Sequence, residues 1–338
     1  MKNESRICII GAGAIGGVLA ALLAQKKHPV QLVVRQLDLA RRISQEGIRA
    51  EGACGSFIIP VPTVSSLQEL QGTFNYILVA TKADGLMEAA RTLLPFLDNN
   101  SRVVSLQNGI CEEMLAGVVG AHRTIGCVVG FGATMHEPGR IEMTSGGELI
   151  IGNWNREPDP QLDELARILN DAVPTRISEA IFQELYSKLI INACITTLGA
   201  ISGQYLGELL VRRSNRNLFI EIIREAIAVA RAMGINVPPG ASGKLDYYRF
   251  LTPGLLSGMK RHLVIRVIGM KYRKLKSSSL QSLERGQKTE VDNYNGYLAV
   301  KGQQLGVPTP VNEQLTRMVR EIEQGTRKIA PANLREIR

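Results

Sequence analysis

The chain has 338 residues, of which 45% are hydrophobic and 21% are charged. These proportions are typical of globular proteins and exclude a disordered chain, a collagen-like repeat and a small disulfide-stapled scaffold, and the length favours two domains. Lys and Arg exceed Asp and Glu by 40 − 31 = 9, which favours an anionic partner: a phosphorylated cofactor, an acidic metabolite, nucleic acid or a membrane surface.

The first residues run directly into a strand pattern. Their apolar stretch is too short for a transmembrane helix or a signal peptide, so we expect a cytoplasmic protein with no integral membrane segment. The cysteines are odd in number and lack C-x-x-C spacing, which predicts reduced thiols and no metal site. They are Cys8, Cys54, Cys111, Cys127 and Cys194.

Short β-branched runs alternate with helical patterns in the first half of the chain. This rhythm predicts a parallel sheet covered by helices on both faces. The runs are RICII (6–10), VQLVV (30–34), YILVA (76–80) and RVVSL (102–106). Gly-rich extended pieces between residues 124 and 152 predict further strands with hairpin turns that extend this sheet.

Three glycines follow the first of these strands and open a helix. Gly11 allows a tight turn, Gly13 lets the backbone approach a pyrophosphate, and Gly16 permits close packing of the helix on the strand. A G-x-G-x-x-G in this context predicts a Rossmann-type dinucleotide-binding domain. The predicted cofactor contacts come from the whole loop: Gly11, Ala12, Gly13, Ala14, Ile15 and Gly16.

The end of the second strand indicates which dinucleotide binds. An NAD-preferring domain usually carries Asp or Glu there, whereas this chain has Arg35. A guanidinium can pair with the 2′-phosphate of NADP(H), so we expect NADP(H) as the cofactor. The alternative is that Arg35 is a solvated loop residue and that Asp38 binds the ribose.

Two loop residues follow later strands of the predicted sheet. Lys82 comes directly after the strand at 76–80, and Asn108 follows the strand at 102–106. Ligands of open α/β sheets bind at the carboxyl ends of the strands, so both residues are candidates for ligand contact.

The second half of the chain is predicted to be mostly helical. Asp159 and Pro160 suit a helix cap and first turn, and a short strand near 174–177 follows. The predicted fold class is therefore α/β, with a Rossmann-type N-terminal domain (1–176) and an all-helical C-terminal domain (177–338). Long helical patterns cover residues 179–201, 217–234, 279–306 and 312–328.

A polar line crosses the most apolar of these helical patterns. Lys188, Asn192 and Thr196 recur every four positions among apolar residues, so they share one face of a helix. Buried polar groups need hydrogen-bond partners, supplied either by the protein or by a ligand in a polar cleft. The alternative is that Lys188 extends to the surface and Asn192 bonds to a neighbouring backbone group.

Six motifs together resemble those of the ketopantoate reductase family, the 2-dehydropantoate 2-reductases of pantothenate biosynthesis. They occur in the family's order and spacing over most of the chain. The motifs are GAGAIGG (11–17), VATKA (79–83), LQNG (106–109), SKLIINA (187–193), KTEVDNYNG (288–296) and GVPTPVN (306–312).

The resemblance implies a substrate held in the cleft between an NADPH domain and a helical domain. Hydride would pass from the nicotinamide to the 2-keto carbon while Lys188 protonates the forming alkoxide. The catalytic residues would be Lys188 and Glu290; the substrate-binding residues Asn108, Asn192, Thr196 and Ser278; and the cofactor-binding residues beyond the glycine loop Arg35, Lys82, Asn108 and Glu290. The expected partner is a small 2-keto acid, without nucleic acid.

Two departures from the family pattern affect the expected substrate. The family usually has a second asparagine where this chain has Thr196, and Ser279 and Ser282 replace a methionine and an aspartate. Polar mismatches discriminate strongly between substrates, so another 2-oxo acid or an imine remains an alternative. A non-catalytic NADP(H)-binding regulator is a further alternative, which the retention of Lys188, Asn192 and Glu290 disfavours.

The stretch between Pro238 and Lys276 is longer than is usual in the family that the chain resembles, and it includes a basic segment at 259–276. A basic amphipathic helix can contact anionic lipid or nucleic acid. A solvated helix face and a subunit contact are the commoner uses of such a helix, and a homodimer is left open.

Overall fold

The computed structural model describes residues 5–254 and 256–337, without the side chains of residues 241 and 242. The chain forms two compact units, Met1–Phe182 and Gln183–Arg338, called here the N-terminal and C-terminal units. The domain boundary expected from the sequence, between residues 176 and 177, lies earlier than this division.

The strands all belong to the N-terminal unit among the described residues. In chain order they are β1 (Ile7–Ile10), β2 (Val30–Val33), β3 (Ile48–Gly52), β4 (Phe57–Ile59), β5 (Thr63–Val64), β6 (Tyr76–Val79), β7 (Arg102–Ser105), β8 (Thr124–Val129), β9 (Gly132–Glu137), β10 (Arg140–Ser145), β11 (Leu149–Asn153) and β12 (Thr175–Ile177).

The helices occur in both units. They are α1 (Ala14–Gln25), α2 (Leu37–Glu46), α3 (Leu86–Thr92), α4 (Glu112–Val119), α5 (Pro160–Ala172), α6 (Ile181–Ser202), α7 (Leu206–Leu209), α8 (Arg213–Ala232), α9 (Gly240–Gly243), α10 (Tyr247–Leu251), α11 (Ser257–Lys271), α12 (Ser278–Glu284), α13 (Asn295–Leu305) and α14 (Pro310–Glu323).

The main sheet has the strand order β12-β11-β8-β7-β6-β1-β2-β5. Strands β8, β7, β6, β1, β2 and β5 are parallel, and β11 is antiparallel to β8. Ile10 lies opposite both Val33 and Val79, so β1, β2 and β6 end at one level. The strand order reverses at β1, where open α/β sheets bind ligands. The predicted α/β fold class is confirmed.

Alternate residues of β1 face opposite layers of the core. Ile7 and Ile9 join one apolar cluster, with residues of α1, whereas Cys8 and Ile10 join another, with residues of α3. A strand buried on both faces shows this continuous apolar run rather than an alternation. The same arrangement explains why β6 is apolar throughout.

A second, four-stranded sheet has the order β4-β3-β10-β9. The sequence interpretation placed every strand between residues 124 and 152 in the main sheet; this holds for β8 and β11 but is wrong for β9 and β10. Strands β3, β4 and β5 were not predicted. The second sheet packs on α1, where a Cβ atom on Gly17 would lie 3.0 Å from Ile141 Cγ2.

The described part of the C-terminal unit is helical, as predicted. The uninterrupted helix expected at 279–306 is wrong, because α12 ends at Glu284 and Gly286 adopts φ +65°. Glu290 lies beyond that turn and precedes a 3-10 turn, Val291–Asn293, which leads to α13. A glycine at positive φ just after a helix is an ordinary helix stop.

Helix α6 is long and apolar enough to cross a membrane by length and composition. In the structure, 78% of its apolar window is buried. The Tyr186 hydroxyl donates a hydrogen bond to the Ala226 carbonyl on α8 at 2.7 Å, and Ala193 and Cys194 are fully buried. These contacts make α6 a core helix of the C-terminal unit.

Candidate active site

The glycine loop connects β1 to α1 at the carboxyl edge of the main sheet. Gly11 donates its N–H to the Val33 carbonyl at 2.8 Å and adopts φ +109°. A Cβ atom on Gly11 would lie 2.9 Å from the Ala80 carbonyl oxygen, and one on Gly16 would lie 2.0 Å from the Gly11 carbonyl oxygen. Both positions therefore require glycine to pack.

Gly13 differs from the other two glycines, because no described atom lies within 4 Å of a Cβ atom built on it. It is the N-cap of α1, with no side-chain cap and no acidic residue in the first turn. The first N–H groups of α1 therefore have no side-chain cap, and the positive end of the helix dipole has no acidic residue beside it in the first turn. This loop fits an anionic pyrophosphate.

Gln107 joins the loops that follow β6 and β7. Its buried Nε2 donates hydrogen bonds to the carbonyls of Val79 at 2.9 Å and Thr81 at 3.0 Å, and its Oε1 accepts one from Ser105 Oγ at 2.9 Å. The bonds fix the backbone directly before Lys82 and hold Gln107, which directly precedes Asn108, against it. Sequence reasoning missed Gln107, although it directly precedes Asn108 in LQNG.

Lys82 and Asn108 both lie on this edge of the sheet, with Lys82 exposed and Asn108 half-buried. Between Ala80 and Lys82, the Thr81 Oγ1 atom is buried and has no hydrogen-bond partner in the described chain. The Thr81 backbone nitrogen adjoins Gly11, at 3.1 Å from the position of a Cβ atom there. An unsatisfied hydroxyl beside the glycine loop is a group that a bound ligand can satisfy.

Arg35 lies just beyond the end of β2. Its side chain is 80% exposed, and its Nη1 lies 3.9 Å from Glu88 Oε2, which is also exposed. Exposed ion pairs of this kind contribute little free energy, so the guanidinium can exchange Glu88 for a phosphate. Asp38 is exposed in the first turn of α2, and the alternative in which it binds the ribose stays open.

Glu112 is a buried carboxyl at the start of α4, four residues after Asn108. Its Oε2 accepts a hydrogen bond from the Cys111 N–H at 3.0 Å. Burial raises the pKa of Glu112 to about 7, and neighbouring hydrogen-bond donors oppose this rise. Sequence reasoning missed Glu112, because an acidic residue in a first helical turn is ordinarily a solvated partner of the helix dipole.

The predicted polar line lies on α6 in the C-terminal unit. Lys188 and Asn192 are half-buried and Thr196 is buried. Neighbouring side chains on the helix, including Leu189 and Ala193, are fully buried. The line therefore runs along the partly open side of a helix that is otherwise packed in the core.

Glu290 is half-buried and precedes the 3-10 turn before α13. Its Oε2 accepts a hydrogen bond from the buried Tyr294 hydroxyl at 2.8 Å. The phenol stabilises one position of the carboxylate, because a bond from a buried donor is costly to break.

A buried amide network ties the segment after Glu290 to α6. Asn295 Nδ2 donates to the Ala193 carbonyl at 3.3 Å and to Asn312 Oδ1 at 2.8 Å, and its Oδ1 accepts a bond from Thr197 Oγ1. Asn312 Nδ2 donates to Glu225 Oε2 at 2.6 Å. These bonds connect α6, α8, α13 and α14.

The network explains two motifs whose asparagines had no assigned role. Asn295 belongs to KTEVDNYNG and Asn312 to GVPTPVN. Both are fully buried, so they act as structural residues that position the elements carrying Glu290 and Lys188. Only their position within recognisable motifs could have drawn attention to them.

Ser278 is the exposed first residue of α12. The preceding residue, Ser277, caps the helix by accepting a hydrogen bond from the Leu280 N–H at 3.2 Å. Ser277 also packs on α6, since a Cβ atom on Gly199 would lie 2.7 Å from Ser277 Oγ. The start of α12 therefore lies beside α6, one helical turn beyond Thr196.

The predicted site residues fall into one group in each unit. Gly11–Gly16, Arg35, Lys82 and Asn108 follow adjacent strands on one edge of the main sheet. Lys188, Asn192 and Thr196 share α6, and the elements that carry Ser278 and Glu290 contact or are hydrogen-bonded to that helix. The first group suits a dinucleotide, and the second offers an ammonium, amide, hydroxyl and carboxylate groups.

Comparison with protein families gives matches over both units. Residues 7–156 match the family model described as ketopantoate reductase PanE/ApbA, and residues 180–323 match the model of its C-terminal part. Among curated proteins, the 2-dehydropantoate 2-reductase of Aquifex aeolicus is 27% identical over 322 residues, covering 94% of this chain and 97% of the relative.

Solved structures give the same similarity. A PanE/ApbA family ketopantoate reductase from Ralstonia eutropha JMP134 has a TM-score of 0.81 and 28% identity, covering 95% of this chain and 99% of that one. A D-mandelate dehydrogenase, in a ternary structure with NADH and anilino(oxo)acetate, has a TM-score of 0.81 over 95% and 98% of the two chains. At 21% identity, the latter shares the fold alone.

Proposed function

Because this chain belongs to the ketopantoate reductase family, we propose that it reduces 2-dehydropantoate to pantoate in pantothenate biosynthesis, with NADPH as the hydride donor. The family identifies the chain as an oxidoreductase of the 2-dehydropantoate 2-reductase class that uses a nicotinamide dinucleotide. The polar line of Lys188, Asn192 and Thr196 on α6 carries the proposal, because it places an ammonium among neutral donors on a core helix.

The N-terminal group of residues would bind the dinucleotide, which supplies a hydride when bound. Gly13 leaves room for the pyrophosphate against the N–H groups of α1. Arg35 would pair with the 2′-phosphate and thereby favour NADPH over NADH. Lys82 and Asn108 would contact the nicotinamide ribose and the substrate.

Lys188 would act as the proton donor. Negative charge develops on the keto oxygen as hydride adds to C2, and an ammonium both stabilises that charge and supplies the proton that completes the hydroxyl. Asn192 and Thr196 would donate or accept hydrogen bonds with the substrate. Glu290, held by Tyr294, would bind the substrate, and Ser278 would bind its carboxylate.

Another 2-oxo acid is the second candidate substrate. Thr196 replaces an amide that the family usually has, and Ser282 replaces a carboxylate, so the groups available to bind the substrate differ. The D-mandelate dehydrogenase of the same fold, whose structure holds anilino(oxo)acetate, acts on a different hydroxy acid. We place either activity in the cytoplasm.

A panel of 2-oxo acids tests the proposal. Oxidation of NADPH by the purified protein would be followed at its absorbance band with 2-dehydropantoate, 3-methyl-2-oxobutanoate, pyruvate and phenylglyoxylate. The proposal predicts the highest kcat/KM with 2-dehydropantoate. A faster alternative acid would favour the second candidate, and tight NADPH binding without turnover of any acid would favour a regulator.

A further inference from the structure

One segment carries nearly all of the chain's net charge. Residues 247–283 contain no Asp or Glu and eight basic residues: Arg249, Lys260, Arg261, Arg266, Lys271, Arg273, Lys274 and Lys276. The rest of the chain has 40 − 8 = 32 basic and 31 acidic residues, a net charge of +1. This basic segment includes the whole of α11.

Helix α11 has apolar residues on two opposite sides. On its inner side, Ile265 is fully buried and a Cβ atom on Gly269 would lie 2.9 Å from Leu210 Cβ. On its outer side a row of large apolar side chains is exposed, and we call this row the outer stripe. Its members and exposed fractions are Met259 73%, Leu263 62%, Val267 49% and Met270 60%.

The spacing of four, four and three residues places the outer stripe on one face of the helix. Single exposed apolar residues are common, whereas a continuous exposed row indicates a contact surface. Lys260, Arg266 and Lys271 are exposed on the same helix. The occupant of this face must therefore offer apolar surface and negative charge together.

A groove beside α11 extends this surface. It has a volume of about 900 Å³ and is lined by Tyr205, Leu210, Val211 and Met270, so it shares a residue with the outer stripe. Its charged lining consists of Arg266, Arg273 and Lys274, with Glu208 as the single acidic residue. The groove thus has the same apolar and cationic character as the stripe.

The charge of this surface distinguishes between the possible binding partners of α11. A second copy of the chain, paired across a twofold axis, would bring cations of α11 against cations, with no acid within the segment to offset them. Nucleic acid would pair with the cations but would leave the aliphatic stripe without an apolar partner. An anionic bilayer offers phosphates to the cations and an acyl boundary to the apolar side chains.

We propose that the outer face of α11 and the adjoining groove form a docking surface for anionic phospholipid bilayers. The helix lies in the plane of the interface, with Met259, Leu263 and Val267 in the acyl boundary. Lys260, Arg266 and the cations of the groove bind lipid phosphates. The protein is then held reversibly at the membrane surface.

Sedimentation with vesicles tests this proposal on the full-length protein. We expect binding to equal parts of phosphatidylglycerol and phosphatidylcholine to be at least about tenfold tighter than to phosphatidylcholine alone, and to weaken as salt is raised. The double variant Met259→Ser/Leu263→Ser should lose at least about tenfold in affinity for the anionic vesicles. The matched control Val300→Ser/Leu305→Ser removes exposed apolar residues of α13 and should bind as the unaltered protein does.

Melting temperatures and NADPH affinity of both double variants should equal those of the unaltered protein, which separates docking from folding and from the proposed activity. Equal binding to neutral and anionic vesicles would overturn the proposal. The proposal would also be overturned if the protein bound no vesicles and formed a dimer in sedimentation equilibrium that the Met259→Ser/Leu263→Ser variant (the stripe variant) does not form. Tight binding of duplex DNA that the stripe variant retains, without vesicle binding, would assign the surface to nucleic acid instead.

Discussion

At the scale of single residues, the glycines of the β1–α1 loop separate a packing role from a binding role. We predict that Gly16→Ala lowers the melting temperature, because its Cβ atom would collide with the Gly11 carbonyl oxygen. Gly13→Ala should lower the melting temperature much less than Gly16→Ala, because alanine at the N-cap meets no clash and has only a small cost. It should raise the Kd for NADPH about tenfold by filling the space of the pyrophosphate.

Thermal unfolding and fluorescence titration with NADPH check this pair. Gly117→Ala is the matched control, since a Cβ atom on Gly117 of α4 also meets no described atom within 4 Å. That variant should leave the Kd for NADPH unchanged, and its melting temperature should stay the same or rise, because alanine favours a helix interior more than glycine does. Unchanged NADPH affinity in Gly13→Ala would refute the assignment of the loop to the pyrophosphate.

Arg35 is predicted to select the cofactor. A charge-assisted contact with the 2′-phosphate contributes about 1.5–3 kcal/mol, so Arg35→Ala should raise the KM for NADPH about 10- to 100-fold. The KM for NADH should change little, because NADH lacks that phosphate. Arg41→Ala, which removes an exposed cation from the same helix region, serves as the control. Equal effects on both cofactors would count against the assignment.

Glu112 is predicted to make stability depend on pH. Its folded-state pKa of about 7 exceeds the ordinary value of 4.5, so the folded state binds the extra proton and loses stability as pH rises from about 5 through about 7. The glutamine side chain of the Glu112→Gln variant stays neutral at every pH. The variant's free energy of unfolding, relative to that of the unaltered protein, should therefore rise by about 2 kcal/mol between pH 5 and pH 8.

Urea unfolding at the two pH values measures this difference. Glu113→Gln, at the exposed neighbouring position, should change stability alike at both. A Glu112→Gln variant whose stability relative to the unaltered protein is the same at pH 5 and pH 8 would contradict the predicted titration.

The sequence predicted those site residues that belong to a short motif or that recur at a helical spacing. The glycine loop and the line of Lys188, Asn192 and Thr196 are of this kind. Gln107 and Glu112 could not be assigned, because their roles depend on burial and on backbone groups of another strand or loop. Neither the burial of a side chain nor its distant hydrogen-bond partner can be deduced from the residues adjacent to it in the sequence.

At the scale of elements, the buried amide network holds the helices of the C-terminal unit in position. Asn312→Ala removes the side-chain bonds to Glu225 and Asn295, leaves the backbone N–H bond to Glu225 in place, and should destabilise folding by about 2 kcal/mol. Asn295→Ala/Asn312→Ala should cost less than the sum of the single changes, because the two residues share a bond. Gln303→Ala on the exposed face of α13 is the control.

Urea unfolding of the two single variants and the double variant provides the cycle. Additive effects would mean that Asn295 and Asn312 do not act as one network. The kcat of the singly altered enzymes should fall as well, because the network positions the segment of Glu290 relative to α6.

Elements with a strong local pattern were predictable from the sequence. The βαβ rhythm and the long apolar helix α6 are examples. Strands β4 and β5 have only three and two residues. Strand β3 pairs with β10, a partner far along the chain, and its sequence IRAEG lacks the apolar run that marks the predicted strands. The break at Gly286 was missed because the helical spacing of apolar residues resumes beyond it.

At the scale of the whole molecule, the net charge is distributed unevenly along the chain. The basic segment concentrates the net charge on one part of the C-terminal unit, and the rest of the chain is nearly neutral. Composition could predict an anionic partner but could not divide the charge between cofactor binding and an outward surface. That division required the exposed row on α11, which depends on how the helix packs.

We propose that Lys188 protonates the oxygen of the keto acid reduced by NADPH. The most direct measurement compares NADPH oxidation by the unaltered protein, Lys188→Ala and the exposed-site control Lys244→Ala with 2-dehydropantoate. We predict that kcat falls about 10²- to 10⁴-fold in Lys188→Ala, the range of general acid catalysis, with the Kd for NADPH unchanged. Turnover by Lys188→Ala at the rate of the Lys244→Ala control would contradict the claim.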